Sequence, residues 1–181
     1  MWRVSRLDFY AAAIALTAVL FVGILEGILL AALASILLLL ARVSRPHVAF
    51  LGRIPGTNSY SDIARHPENE PLPNAIAFRP EASLLYVNAD AILECVSDRL
   101  RQSDASKVRL VVCDLSASPY IDLAGARILH QLHDDLGQRG VRLRVVGAHG
   151  AVRDLLRADG IVEKIGELGR LVTLENLLND L

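Results

Sequence analysis

The chain has 181 residues, 52% of them hydrophobic, a mean hydropathy of +0.37 and a formal net charge of −1. This balance of charge gives no electrostatic case for a nucleic-acid partner, and two cysteines are too few for a disulfide framework. Cys95 and Cys113 fall in an apparent helix and a buried strand, so we expect reduced structural thiols in a cytosolic compartment. The high hydropathy is concentrated near the N-terminus, which predicts one membrane element followed by one globular domain.

The apolar segment Phe9–Ala41 carries a single charge, Glu26. As one straight helix its 33 residues would measure about 50 Å, well beyond the roughly 30 Å hydrocarbon core of a bilayer. Gly23, Glu26 and Gly27 lie near its middle, where a turn would bring the basic residues of both flanks to one side of the membrane. We therefore expect a transmembrane helical hairpin of two helices of about 15 residues each, surrounded by membrane lipid.

Glu26 is the candidate polar residue of this membrane segment. A carboxylate that faces lipid is costly, so the side chain is expected to face water or protein. One interpretation places it at an interfacial turn, and the other gives it a role in transport. The sequence leaves both open.

Proline-rich chain separates the membrane segment from an alternating α/β pattern. Residues 42–75 contain five of the seven prolines and are predicted to be a linker. Strands and helices alternate over residues 76–181, which predicts a mostly parallel sheet covered by helices. Strands are predicted at 76–79, 84–88, 108–115 and 141–146, helices at 91–101, 123–136, 152–157 and 174–178, and a short strand or turn after 161–165.

The most informative stretch is Val108–Gly125. Its apolar run at 110–113 is typical of a strand covered on both faces, and Asp122 occupies the N-cap position of the helix that follows. Open α/β sheets bind ligands at the carboxyl ends of their strands, so the loop between is a candidate contact surface for a partner or a nucleotide. The alternative is that Asp122 only caps the helix. The candidate contact residues are Ser116, Ser118, Tyr120, Asp122 and Gly125.

Neither a metal site nor a catalytic site is predicted. His130 and His133 lie three residues apart, but the apolar face of their helix places them at the solvent margin. No further cluster completes a coordination sphere, so we interpret them as solvated surface histidines. The sequence has no nucleophile elbow and no P-loop, and Gly147 with Gly150 is interpreted as a turn. We expect no enzymatic activity and no cofactor.

The segment after the apolar run contains Ser44-Arg45-Pro46, Leu51-Gly52, Pro55-Gly56-Thr57 and Tyr60. With these residues it resembles the segment that follows the last membrane helix of the sulfate permease (SulP) family of anion transporters. The resemblance implies that residues 1–41 are the C-terminal membrane helices of a permease-like domain. It also implies that the anion site and most of the transport pathway lie upstream.

Residues 76–181 contain Asp114, Ile121-Asp122, Ala124-Gly125, Leu129, Gly140 and Gly160. With these residues the segment resembles the STAS domain, named for sulfate transporters and anti-sigma antagonists. This implies a mostly parallel, four- or five-stranded sheet with flanking helices, on the cytoplasmic side of the membrane. In anti-sigma antagonists a phosphorylated serine follows the aspartate of the loop, whereas Leu123 stands at that position here, so the serine switch is missing.

Together these resemblances imply the C-terminal portion of a secondary-active transporter of sulfate or another inorganic anion in the inner cell membrane. Its cytoplasmic STAS domain would serve regulation, folding or partner docking. The alternative is a stand-alone, membrane-tethered STAS module with a regulatory role. The implied partners are membrane lipid, the remainder of a permease or a second copy of the chain, a cytoplasmic regulatory protein and a nucleotide. By itself the chain is not expected to transport anions, because two helices do not enclose a midplane site.

Overall fold

The structure of the chain is a computed structural model that describes residues 23–103, 107–169 and 171–181, together with Ala13 and Thr17. The chain divides into two compact units, one ending at Ser44 and the other spanning Arg45–Leu181. The first unit contains a long apolar helix. The second unit contains a sheet with flanking helices.

Helix α1, Ile24–Ser44, dominates the described part of the first unit. Its 21 residues extend about 31 Å, which matches the roughly 30 Å hydrocarbon core of a bilayer. By length and composition it is the one helix within the described ranges that is able to cross a membrane. All of its leucine, isoleucine and valine side chains are exposed, so the helix needs lipid or another protein around it.

Helix α1 is longer than the arm expected for the predicted hairpin. Helix α1 begins directly after Gly23, which has φ +128°, and continues without a break through Glu26 and Gly27. The expected arm of about 15 residues is therefore wrong, and Glu26 lies in the first helical turn, where free amide groups favour a carboxylate. Of the other arm only Ala13 and Thr17 are described, and both are helical. The hairpin itself lies outside the described residues.

A five-stranded sheet forms the centre of the second unit. Its strands are β1 Val48–Arg53, β2 Tyr60–Asp62, β3 Ala75–Pro80, β4 Leu110–Asp114 and β5 Arg142–Val146. They lie in the order β2-β1-β3-β4-β5, in which β4 is parallel to both of its neighbours and β1 is antiparallel to both of its own. The predicted sheet with flanking helices is confirmed, and its strands are mixed rather than mostly parallel.

Helices cover both faces of this sheet. They are α2 Ala89–Gln102, α3 Leu123–Gly137, α4 Gly150–Asp159, α5 Val162–Ile165 and α6 Leu174–Asn179. Helix α5 lies directly before the segment expected to be a short strand or turn, and residues 166–169 form neither a strand nor a helix. Helices α2 to α5 pack into one core cluster with Val111 and Cys113, while α6 packs into a second cluster with Leu110 and Val112. Strand β4 is therefore buried on both faces, as its continuous apolar run predicts.

The prediction that residues 42–75 form a linker is wrong. This segment supplies β1 and β2, and β1 lies inside the sheet between β2 and β3. Ala49 and Leu51 of β1 are at most 2% exposed and belong to the second core cluster. A proline interrupts a ladder only where an amide is needed, and these prolines all lie outside the strands. They are Pro46, Pro55, Pro67, Pro71 and Pro73.

The strand predicted at 84–88 reduces to a single parallel bridge between Leu84 and Ile121. The side chain of Asn88 holds residues 85–88 in a turn, because its Oδ1 accepts a hydrogen bond from the Leu85 N–H at 3.0 Å. A side chain that bonds to nearby backbone in this way competes with sheet pairing. The turn leads directly into α2.

Both histidines of α3 lie beside carboxylates, and the thiol of Cys113 is buried. The Nε2 of His130 lies 2.6 Å from the Asp159 carboxylate and joins α3 to α4 at a partly buried position, so the interpretation of His130 as a solvated histidine is wrong. His133 lies 3.0 Å from Asp134 at the surface. Cys113 is a free thiol, and complete burial raises its pKa well above the usual value. No group of three or more His, Cys, Asp or Glu within the described ranges is arranged to hold a metal ion.

The variant Leu51→Ala tests whether β1 belongs to the folded domain. Leu51 is 2% exposed, so its truncation should lower the free energy of unfolding by about 2–5 kcal/mol. Ser59→Ala, at an exposed position in the turn between β1 and β2, is the control and should change stability by less than about 0.5 kcal/mol. Urea unfolding of the full chain in detergent, followed by tyrosine circular dichroism, compares them. Equal stability of the two variants would restore the linker interpretation.

Candidate functional site

Asp122 joins the start of α3 to a distant loop. Its Oδ1 accepts a hydrogen bond from the Gly125 N–H at 2.8 Å, which confirms the predicted N-cap. Its Oδ2 accepts a second bond, from the Tyr86 N–H at 2.8 Å. Both carboxylate oxygens are therefore engaged by backbone amides, and the side chain holds together two segments that are 36 residues apart.

Backbone hydrogen bonds beside Asp122 connect the same two segments. The Leu84 N–H donates to the Tyr120 carbonyl at 3.2 Å, and the Asp122 N–H donates to the Leu84 carbonyl at 3.1 Å. Gly125 is buried against this loop, where a Cβ would lie 2.5 Å from the Leu84 oxygen and 2.7 Å from the Ile121 Cγ1. Close packing therefore requires glycine at this position, and Gly125 is not accessible to a partner.

The two candidate serines have different surroundings. Ser118 is fully buried, and its Oγ donates to the Ala82 carbonyl at 2.8 Å. Ser116 is exposed, with its N–H donating to the Asp114 Oδ1 at 2.9 Å and its carbonyl 3.0 Å from the His149 Nε2. Ser118 consequently has a structural role, while the Ser116 side chain remains accessible.

Aromatic and apolar side chains surround the cap. Tyr86, Tyr120 and Leu123 are 76%, 55% and 70% exposed, and we call these three residues the cap patch. Their backbones lie within two residues of Asp122 along the chain or bond to it directly. Sequence reasoning identifies only Tyr120, because Tyr86 falls in a stretch that resembles a strand and Leu123 is noticed only for its missing hydroxyl. The sequence signal that could have identified Leu123 as an exposed residue is its position outside the buried face of α3.

A second polar group lies where β3 and β4 end. Arg79 donates from Nε and Nη2 to the Asp114 Oδ2, at 2.8 and 2.7 Å. Gly147 approaches the same carboxylate with φ +69°, and a Cβ there would lie 2.6 Å from the Asp114 Oδ1. The turn predicted at this glycine therefore needs its left-handed backbone and its missing side chain. A cavity of about 380 Å³ opens beside the pair.

The variant Asp122→Asn tests the double hydrogen bond. Asparagine caps a helix nearly as well as aspartate, so a cap alone predicts a loss of only a few tenths of a kcal/mol. Its single side-chain oxygen cannot accept from both Gly125 and Tyr86, however, so we expect a loss of about 1–3 kcal/mol. Asp135→Asn, at an exposed position of α3, is the matched control in urea unfolding of the full chain. Equal stability of the two variants would show that one bond is dispensable.

Comparison with known proteins gives the family of the chain. The family described as STAS domain matches residues 66–176. Low affinity sulfate transporter 3 of Stylosanthes hamata is 32% identical over 176 residues, which cover 92% of this chain and 27% of that protein. A probable sulfate transporter of Mycobacterium tuberculosis is 31% identical over 172 residues, covering 95% and 30%. The chain thus spans less than a third of the length of either relative.

Two solved structures share the fold. The mouse Slc26a9 anion transporter in its inward-facing state has a TM-score of 0.78 at 19% identity, over 91% of this chain and 26% of that one. A putative anti-sigma factor antagonist from Thermotoga maritima has a TM-score of 0.51 at 16% identity, over 59% and 86%. The sequence matches confirm the resemblance to sulfate permeases and to STAS domains. The chain belongs to the STAS domain family and corresponds to the STAS-containing C-terminal portion of the sulfate transporters that it matches.

Proposed function

We propose that this chain is the C-terminal portion of a secondary-active transporter of sulfate or another inorganic anion, in the cell membrane with its STAS domain in the cytoplasm. The observation that carries the proposal is the extent of the match to named sulfate transporters. A match over 92–95% of the chain includes α1 as well as the domain, which begins only at Arg45. These relatives are named as transporters, in agreement with a protein that is not an enzyme.

The described part of the membrane segment supports this proposal. Helix α1 has the length of a single span, and its apolar side chains suit contact with lipid or with further membrane helices. Glu26 lies in the first turn of this helix rather than at its middle. That position favours the interfacial interpretation of Glu26 over a role in the transport pathway.

The domain is proposed to dock a cytoplasmic protein through the cap patch. A nucleotide would need several polar groups in the loop, but both Asp122 oxygens accept backbone bonds and the Ser118 hydroxyl is buried, which leaves Ser116 as the accessible serine. The cap patch consists of two tyrosines and a leucine, and aromatic residues are enriched at protein contacts. The chemistry of the patch therefore favours a protein partner over a nucleotide, and a second copy of the chain is the alternative occupant.

A chimaeric transporter tests the transport role. Residues 24–181 would replace the corresponding portion of the Mycobacterium tuberculosis relative, and uptake of radiolabelled sulfate into vesicles would be measured. We expect the chimaera to retain uptake, and the chain alone to give none, because it lacks the helices that enclose a midplane site. The same chimaera carrying Leu51→Ala controls for a damaged domain. Uptake by the isolated chain would contradict the proposal, as would a folded, membrane-inserted chimaera without activity.

Photo-crosslinking tests the docking surface. A benzophenone side chain would be introduced at Leu123 in the full chain, and its adducts in native membranes would be compared with those from Leu171. Leu171 is the matched control because it is a leucine 85% exposed outside the cap patch. We expect a discrete protein adduct from position 123 alone, and an adduct between two copies would identify the second copy as the partner. Equal adduct patterns from both positions would contradict the proposal.

A further inference from the structure

A cavity of about 380 Å³ lies at the carboxyl ends of β3, β4 and β5. Its walls come from the ends of these strands, from the loop at Gly147, from Arg153 of α4, and from Gly169 and residues 172–174 near the C-terminus. The volume is within the range of small-molecule sites, and strand ends of this kind are where open α/β sheets bind ligands. This cavity is separate from the cap patch, since none of the three residues of the patch lines it.

Arg153 supplies an uncompensated positive charge to this cavity. It is partly buried, and no carboxylate of the residues that the structure describes lies within 4 Å of its guanidinium. Its Nη1 donates to the Ala148 carbonyl at 2.6 Å, which orients the group along the loop. A guanidinium has five N–H donors in a planar fork, so the remaining donors of Arg153 are available to a ligand.

Arg79 contributes a second guanidinium. Its Nε and Nη2 bond to Asp114, which leaves the donors of Nη1 for another acceptor. Two arginines against one carboxylate give the lining a net positive charge. A ligand that fits this balance is an anion, and the forked geometry of arginine suits a planar or tetrahedral oxyanion.

Two hydroxyl groups and an apolar wall complete the lining. Thr173 accepts a bond from the Asn176 N–H at 3.2 Å, so its own O–H remains a donor. The phenol of Tyr60 is protonated and able to donate at neutral pH, and burial raises its pKa further against the lowering effect of Arg53. Three apolar side chains face the same space and suit a small carbon skeleton attached to the anion. They are Val146, Val172 and Leu174.

We propose that this cavity binds a tetrahedral oxyanion, sulfate or phosphate, either as the free ion or as the monoester of a small molecule. Arg153 is the principal ligand, and Arg79, Thr173 and Tyr60 supply further donors. The site belongs to the domain and is measured on this chain by itself. Its failure or success is therefore independent of the transport role proposed above.

Calorimetric titration of the full chain in detergent tests the site. The probes are sodium sulfate, sodium phosphate and glycerol 3-phosphate, each at constant ionic strength set with sodium chloride. We expect saturable one-to-one binding, weakened at least about tenfold by Arg153→Gln because the charge is lost. Arg157→Gln is the matched control, since Arg157 lies on the same helix, pairs with Asp154 and does not line the cavity. Tighter binding of the monoester than of both free ions would identify an organic ligand, and equal or tighter binding of the free ions a free oxyanion.

A second pair of variants keeps the test independent of the Arg153 backbone bond. Val172 lines the cavity and is partly buried. The variant Val172→Glu places a negative charge beside the site, and Val172→Gln places there a neutral side chain with the shape of glutamate. We expect the Glu variant to lose at least about tenfold in affinity and the Gln variant to lose less than about threefold. Absence of saturable binding with all three probes would overturn the proposal. Unchanged affinity in both Arg153→Gln and Val172→Glu would overturn it as well.

Discussion

A buried carboxylate has to be paired, and Asp114 meets that requirement where β4 leaves the interior. It is 7% exposed, and it accepts bonds from Arg79 and from the Ser116 amide. Removing one partner of such a pair typically costs about 3–5 kcal/mol. The pairing therefore holds the loop that leads to the cap patch and the arginine that lines the cavity in one arrangement. The cavity includes this ionic contact directly, and the loop that leads to the cap patch begins at it.

The two surfaces have opposite chemistry although they lie at the same end of the sheet. The cap patch is aromatic and apolar, while the cavity has two guanidinium groups against one carboxylate. A protein partner and a small anion would therefore use different residues and need not compete. In a transporter of anions, the domain would then have one surface that responds to a protein and another that responds to an ion.

Local sequence patterns predict those parts of the fold that depend on local contacts. The apolar run of β4, the periodicity of α3 and the cap at Asp122 all follow from residues close together in the chain. Strand β1 could not be found in this way. The prolines that are frequent in its segment indicate irregular chain, but they lie in the loops on either side of the strand. The second bond of Asp122 depends on Tyr86, which only the folded chain brings near. The role proposed for Arg153 likewise depends on a cavity that is assembled from distant segments of the chain.

The reactivity of the Cys113 thiol reports separation of the central strands of the sheet. This thiol is fully buried in β4, between two paired strands, and burial raises its pKa well above the usual value. It can react with an alkylating reagent only after the sheet separates, whereas the free thiol of Cys95 on α2 is only partly covered. The rates of alkylation at the two cysteines therefore distinguish local fraying of a helix from separation of the central strands. Such a measurement uses the two cysteines of the chain itself and needs no introduced residue.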